Sequence, residues 1–141
     1  MKRVVLDSSV LVAGLRSHLG ASNALLRQVA LGRIQPLCTT ALFLEYEAVL
    51  VRAEHRLVHG LDEAGVARFL AAFAAAATAV EVHFLWRPQL QDATDEMVLE
   101  AAVNGRADMI VTHNQRHFSG AAEKFGIAVL PPARLLKEIE P

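Results

Sequence analysis

Short apolar runs that alternate with stretches of helical periodicity constrain this chain most. Val4-Val5-Leu6, Met109-Ile110-Val111 and Ile127-Ala128-Val129 are the runs, with Ile34 to Thr39 as a second strand and Val80 to Phe84 as a further strand candidate. Runs this brief suit buried strands, and strands separated by helical segments indicate an α/β fold. The helical patterns are Ser9 to Arg16, Ser22 to Leu31, Ala41 to Ala53, Asp62 to about Thr78, Thr94 or Asp95 to about Asn104, and the terminal segment from Pro131-Pro132 to Ile139. The expected order is β-α-α-β-α-α-β-α-β-β-α. With 141 residues the chain buries one core, so a single domain spanning residues 1–141 is expected.

Local signals refine this outline. Ser22 or Asn23 is a candidate cap for the second helix and Gly32 its end, while Gly105 closes the helix that reaches Asn104. Pro36 argues that the second strand lies at an edge or pairs irregularly. Thr40 opens the third helix. Asp62 caps the next, whose Val66, Phe69, Leu70 and Phe73 form one apolar stripe. Its opposite face is mostly alanine, which suits close packing at home or a contact with a second copy. Hydrophobic residues make up 53% and charged residues 21%, a globular balance. No apolar stretch reaches the roughly 18 residues of a membrane span, so no membrane association is expected. The single cysteine, Cys38, excludes an internal disulfide and fits a reducing cytoplasm. The formal charge of −1 neither advertises nor excludes a nucleic-acid partner, because a local patch of arginines matters more than the sum.

The acids carry the chemistry. Asp7 ends the first strand, where ligands of open α/β sheets bind. Among the other aspartates, Asp62 reads as a cap and Asp108 as a turn former ahead of a strand, which leaves Asp92 and Asp95. Glu45 sits among Leu42, Phe43, Leu44 and Tyr46, where an unpaired charge is expensive to bury. Each acid also has a separate structural reading: Asp7 in a turn, Asp95 as a cap, Glu45 reaching for solvent. If Asp7, Glu45 and Asp95 converge, their repulsion requires a proton or a cation between them. An all-oxygen site of that kind suits Mg²⁺ or Mn²⁺, which would activate water against a phosphodiester.

Four segments in order resemble the PIN domain family, the nuclease domain of many prokaryotic toxin–antitoxin systems. Val4 to Val12 resembles its strand-ending aspartate motif and Thr39 to Leu50 its second motif, with the acid at Glu45. Asp92 to Met97 followed by Ala101-Ala102 resembles the third, with Asp95 at the acidic position. Ala107 to Asn114 resembles the closing strand and turn. The likeness runs from Val4 to about Leu136. It implies a three-layer α/β/α domain with a central, mostly parallel sheet, acting as a Mg²⁺- or Mn²⁺-dependent endoribonuclease. The implied catalytic set is Asp7, Glu45, Asp95 and Asn114. Asp7, Glu45 and Asp95 would hold the metal, supported by Ser9, Asp92 and Thr112. The implied partners are an RNA substrate, a small antitoxin and a second copy of the chain.

Two departures qualify the likeness. Many members carry asparagine or threonine after the first acid, whereas this chain has Ser8 and Ser9. The final turn usually carries one or two aspartates; here it holds Asn114 and His117. Three carboxylates favour one tightly bound metal over two. Arg16, Arg87, His113, Arg116 and His117 are candidate phosphate contacts, each of which also reads as a solvated surface charge. No further His or Cys cluster at ligand spacing supports zinc at His113 and His117. The alternative function is a catalytically weak or inactive RNA- or protein-binding module of the same fold. A nucleotide-binding α/β domain is disfavoured, because Asp7-Ser8-Ser9 stands where a glycine-rich phosphate loop would be needed.

Overall fold

A computed structural model of the chain describes residues 1–83 and 89–139. Its strands are β1 (Arg3–Leu6), β2 (Gln35–Cys38), β3 (Thr78–Ala79), β4 (Met109–Val111) and β5 (Ala128–Leu130). They form one five-stranded sheet, ordered β3-β2-β1-β4-β5 and parallel throughout. The helices are α1 (Ser8–Arg16), α2 (Ala21–Ala30), α3 (Thr40–Leu50), α4 (Ala53–His59), α5 (Glu63–Ala76), α6 (Ala93–Asn104), α7 (Ser119–Lys124) and α8 (Pro132–Ile139), with a 3₁₀ turn at Gln115–His117. The arrangement is a three-layer α/β/α fold. Val4, Val5, Leu6, Ile110 and Val111 are fully buried, so the apolar runs read from sequence are the central strands.

The strand order locates the functional end of the sheet. From β1 the chain steps outward to β2 and β3, then crosses back to β4 on the other side of β1. The reversal opens a crevice beyond the carboxyl ends of β1 and β4, where ligands of such sheets bind. Asp7 lies at the first of these ends and Thr112 to Asn114 at the second. Asp7 N–H donates to the Val111 carbonyl at 3.0 Å and pins the two ends together.

Several boundaries differ from the sequence reading for identifiable reasons. β2 is not an edge strand, yet its proline is accommodated by irregular pairing. Gln35 N–H faces β1 and donates to the Lys2 carbonyl at 2.8 Å, so the nitrogen of Pro36 faces the opposite side. There β3 begins only opposite Leu37, and no donor is missed. β3 lies at Thr78–Ala79 rather than at Val80 to Phe84, with Phe84 outside the described residues. Gly20, not Ser22 or Asn23, caps α2. Asp92, not Thr94 or Asp95, caps α6, its side chain accepting from Thr94 N–H at 2.8 Å. The helix expected to run to Ala53 ends at Leu50, and a separate α4 follows. α7, the 3₁₀ turn and α4 had no counterpart in the expected order.

Other expectations hold. Asp62 caps α5 and accepts from Gly65 N–H at 2.7 Å, and Val66, Leu70 and Phe73 of its stripe are buried. Asp108, expected as a turn former, instead accepts from Arg3 N–H at 2.8 Å, 105 residues away in sequence, and ties the starts of β4 and β1. Gly105 ends α6 where a Cβ would lie 2.9 Å from both the Ala101 carbonyl oxygen and Val80 Cγ2. The alanine face of α5 is not covered: Ala71, Ala72, Ala74 and Ala75 are exposed. Cys38 is buried, and burial pushes its thiol up to about 11. No helix among the described residues is long and apolar enough to cross a membrane.

Candidate active site

The crevice is an open cavity of about 600 Å³ that brings Asp7, Glu45, Asp92, Asp95 and Asn114 to one surface. Asp7 is 4% exposed, and its environment explains how a carboxylate is tolerated there. Its Oδ2 accepts from Ser9 Oγ at 2.8 Å and from Thr112 Oγ1 at 2.7 Å. Both hydroxyls are themselves oriented. Ser9 Oγ accepts from His113 N–H at 3.3 Å, and Thr112 Oγ1 from Asn114 N–H at 2.9 Å. With those backbone donors occupying the oxygens, the hydroxyl protons point at the carboxylate. Asp7 Oδ1 accepts no hydrogen bond among the described residues and is not sealed from solvent. One oxygen of Asp7 is therefore clamped while the other is presented to the cavity.

Helix α3 supplies Glu45. Thr39 caps it by accepting from Leu42 N–H at 3.1 Å, and the helix buries Leu42, Tyr46, Val49 and Leu50. Glu45 falls at the boundary of that stripe, half-buried and facing the cavity. The fully buried Tyr46 beside it donates its hydroxyl to the Leu6 carbonyl, one residue before Asp7. Burial, with smaller contributions from Cys38 and Asp7, holds that phenol protonated far above its usual range. Glu45 and Asp7 are thus linked through one tyrosine.

Asp95 lies in the first turn of α6 with a side chain 13% exposed. Burial raises its pKa above the ordinary carboxylate value, and the charges of Asp92 and Asp7 add to the rise. His117, with Nδ1 3.0 Å from Asp95 Oδ2, opposes it. A positive charge placed beside Asp95 would favour its ionised form.

The donor set fits a hard divalent ion: oxygen ligands, a free Asp7 Oδ1, and an Asp95 whose ionised form is disfavoured by burial and by the charges of Asp92 and Asp7. The side chains do not already form a closed cage. Among the described residues no three His, Cys, Asp or Glu side chains are arranged to hold an ion. The carboxylates share a cavity, while His117 occupies one oxygen of Asp95.

The remaining expected residues fall into distinct places. Ser9 and Asp92 line the cavity, whereas Thr112 is buried beneath it and acts only through Asp7. Arg16, His113 and His117 also line it. His113 is tethered, its Nε2 2.7 Å from the buried Ser22 Oγ. Arg116 is exposed but does not line the cavity, and Arg87 lies outside the described residues. Sequence reasoning missed Arg52 and His55, both at the cavity wall. The spacing Glu45, Val49, Arg52 at i, i+4, i+7 was the available signal.

The family model of the PIN domain matches residues 3–116. No curated protein matches the chain at a significant level.

Proposed function

The chain belongs to the PIN domain family, whose nuclease character is the premise from which we propose a Mg²⁺- or Mn²⁺-dependent endoribonuclease. The observation that carries the proposal is the state of Asp7: one carboxylate oxygen fixed by two oriented hydroxyls, the other open to a cavity shared with Glu45 and Asp95. Asp7, Glu45 and Asp95 would hold the ion. When bound, the ion supplies positive charge against the phosphate and activates water for attack. Asn114, at the rim, offers an amide that orients a ligand without adding charge. Ser9 and Thr112 keep Asp7 from rotating, which places its free oxygen reproducibly. Asp92 keeps negative charge near Asp95 while capping α6.

The toxin half of a toxin–antitoxin pair is our reading of the biological role, with a small protein antitoxin as partner and the cytoplasm as its place of action. A homodimer is part of the same proposal; the uncovered Ala71, Ala72, Ala74 and Ala75 of α5 support it. The competing reading, a weakly active or inactive binding module, is favoured by the uncharged Asn114 and by the pairing of His117 with Asp95.

Cleavage of several RNAs with Mn²⁺ or Mg²⁺, with EDTA, and by Asp7→Asn separates the two. The nuclease reading expects product only with metal and wild-type Asp7. Cleavage that survives both chelation and substitution refutes it, and no cleavage of any RNA favours the module. Growth arrest on expression, relieved by Asp7→Asn, is expected of a toxin. Arrest that persists with Asp7→Asn rules out a toxin acting through this site.

A further inference from the structure

Two helices run along the cavity: α1 ends in Arg16, and Arg52 follows the end of α3 as the residue that starts α4. On α1, Ser9, Val12, Ala13 and Arg16 all line the cavity; on α3 and the residue after its cap, Glu45, Val49 and Arg52 do the same. In both series the arginine lies seven residues beyond the polar group, which along α1 is about 10 Å at the rise of an α-helix. α1 packs against α3 and α4, so the two guanidinium-bearing ends belong to one region. Val12, Ala13 and Val49 form an apolar stretch between the acidic and basic ends.

Neither guanidinium has a hydrogen bond or an ion pair among the described residues. Among the described residues, the only ion pair between cavity-lining side chains is His117 with Asp95. Arg16 and Arg52 are exposed and pair with none of the four carboxylates that share their cavity. Carboxylates and guanidinium groups therefore share one surface without pairing, the arginines seven residues beyond Ser9 on α1 and beyond Glu45 on α3. A ligand that satisfies both ends must accept a cation at one and present an anion at the other. A nucleic-acid strand with a repeating phosphate does this.

We propose that Arg16 and Arg52 form a binding subsite for a non-scissile phosphate of the RNA strand, within about three stacked nucleotides of the cleaved bond. This deepens the nuclease reading and rests on it. Arginine suits the task because its planar fork bonds a phosphate bidentately. His55, one helical turn after Arg52 and half-buried at the same wall, is placed to add a further donor. An acidic protein segment would satisfy the arginines but would meet repulsion at the carboxylate end.

The test uses oligoribonucleotides that carry one neutral methylphosphonate at each position in turn. Wild-type protein is expected to show one sensitive non-scissile position, with KM raised about tenfold or more. Arg16→Gln/Arg52→Gln is expected to raise KM on the natural strand by a similar factor, more than it lowers kcat, and to lose sensitivity at that position. A flat wild-type profile, or a profile that the double variant retains, overturns the subsite. If wild-type protein cleaves nothing, the same strands are read by fluorescence anisotropy. A position-specific loss of binding that vanishes in the double variant then upholds the subsite although the nuclease reading has failed. Arginine substitutions that weaken only an acidic protein partner overturn it.

Discussion

Replacing Tyr46 with phenylalanine removes one hydroxyl and should destabilise the whole site-bearing end of the sheet. The ring stays: it is fully buried and meets Phe73 edge-on at 5.6 Å and 89°. What goes is, among the described residues, the only side-chain donor to the Leu6 carbonyl. Asp7 N–H points at Val111 in β4, so the Leu6 carbonyl, across the same peptide, points toward β2. Register pairing of β1 with β2 runs only through Arg3–Gln35 and Val4–Pro36, leaving Tyr46 to satisfy this oxygen. Stranding a buried acceptor costs about 1–3 kcal/mol. At a urea m-value of about 2 kcal/mol/M, the midpoint should fall by about 1 M with m unchanged. Because Tyr46 follows Glu45 directly and bonds the residue before Asp7, Mn²⁺ affinity should weaken in the same variant. A loss below about 0.5 kcal/mol, the size of an ordinary surface change, would refute the claim that this bond holds β1 to α3.

Thr112→Val removes a fully buried donor to Asp7, leaving Oδ2 with Ser9 alone, and takes the acceptor from Asn114 N–H, at a cost of about 2 kcal/mol by thermal or chemical denaturation. Metal affinity in this variant should fall by about 10–100-fold, as for outer ligands elsewhere; unchanged affinity would show that Asp7 needs no clamp. Asp95→Asn should raise the melting temperature of the metal-free protein at neutral pH. The folded-state pKa of Asp95 is raised, so the native state binds its proton more tightly than the unfolded chain does. The penalty for ionising it is fully present above the folded pKa and disappears below the ordinary carboxylate range. The advantage of Asp95→Asn in EDTA should therefore close as the pH falls from about 7 to about 3.5. An advantage that widens toward acid would contradict the cause assigned to the shift.

What the sequence disclosed follows the strength of local signals. Val4 to Leu6 and Met109 to Val111 were legible because strands buried on both faces leave uninterrupted apolar runs. Asp62 was legible as a cap because its own side chain closes the first turn of α5. The end of α3 was not, since neither Gly nor Pro stands at Leu50-Val51-Arg52 to mark it, and only tertiary packing starts α4 anew. That boundary hid His55 from the candidate site, whereas Arg52 stood at i+7 from Glu45 within the expected helix and was legible there. The cap of α6 fell to Asp92 and not to Thr94 or Asp95 for a related reason: all three are good caps within four residues, and local chemistry does not decide which takes the backbone amide. Ser22 was read as a cap but is buried against His113, a contact 91 residues away in sequence that no local pattern could announce.

The central claim is that Asp7, Glu45 and Asp95 together hold a divalent ion. Calorimetric titration of Mn²⁺ into the chelator-stripped protein and into Asp7→Asn tests it most directly. The account predicts one ion bound per chain by the wild type and an affinity at least about 100-fold lower in the variant, since losing a ligand should exceed the loss from an outer contact. Equal binding by both proteins, or none by the wild type, would contradict it.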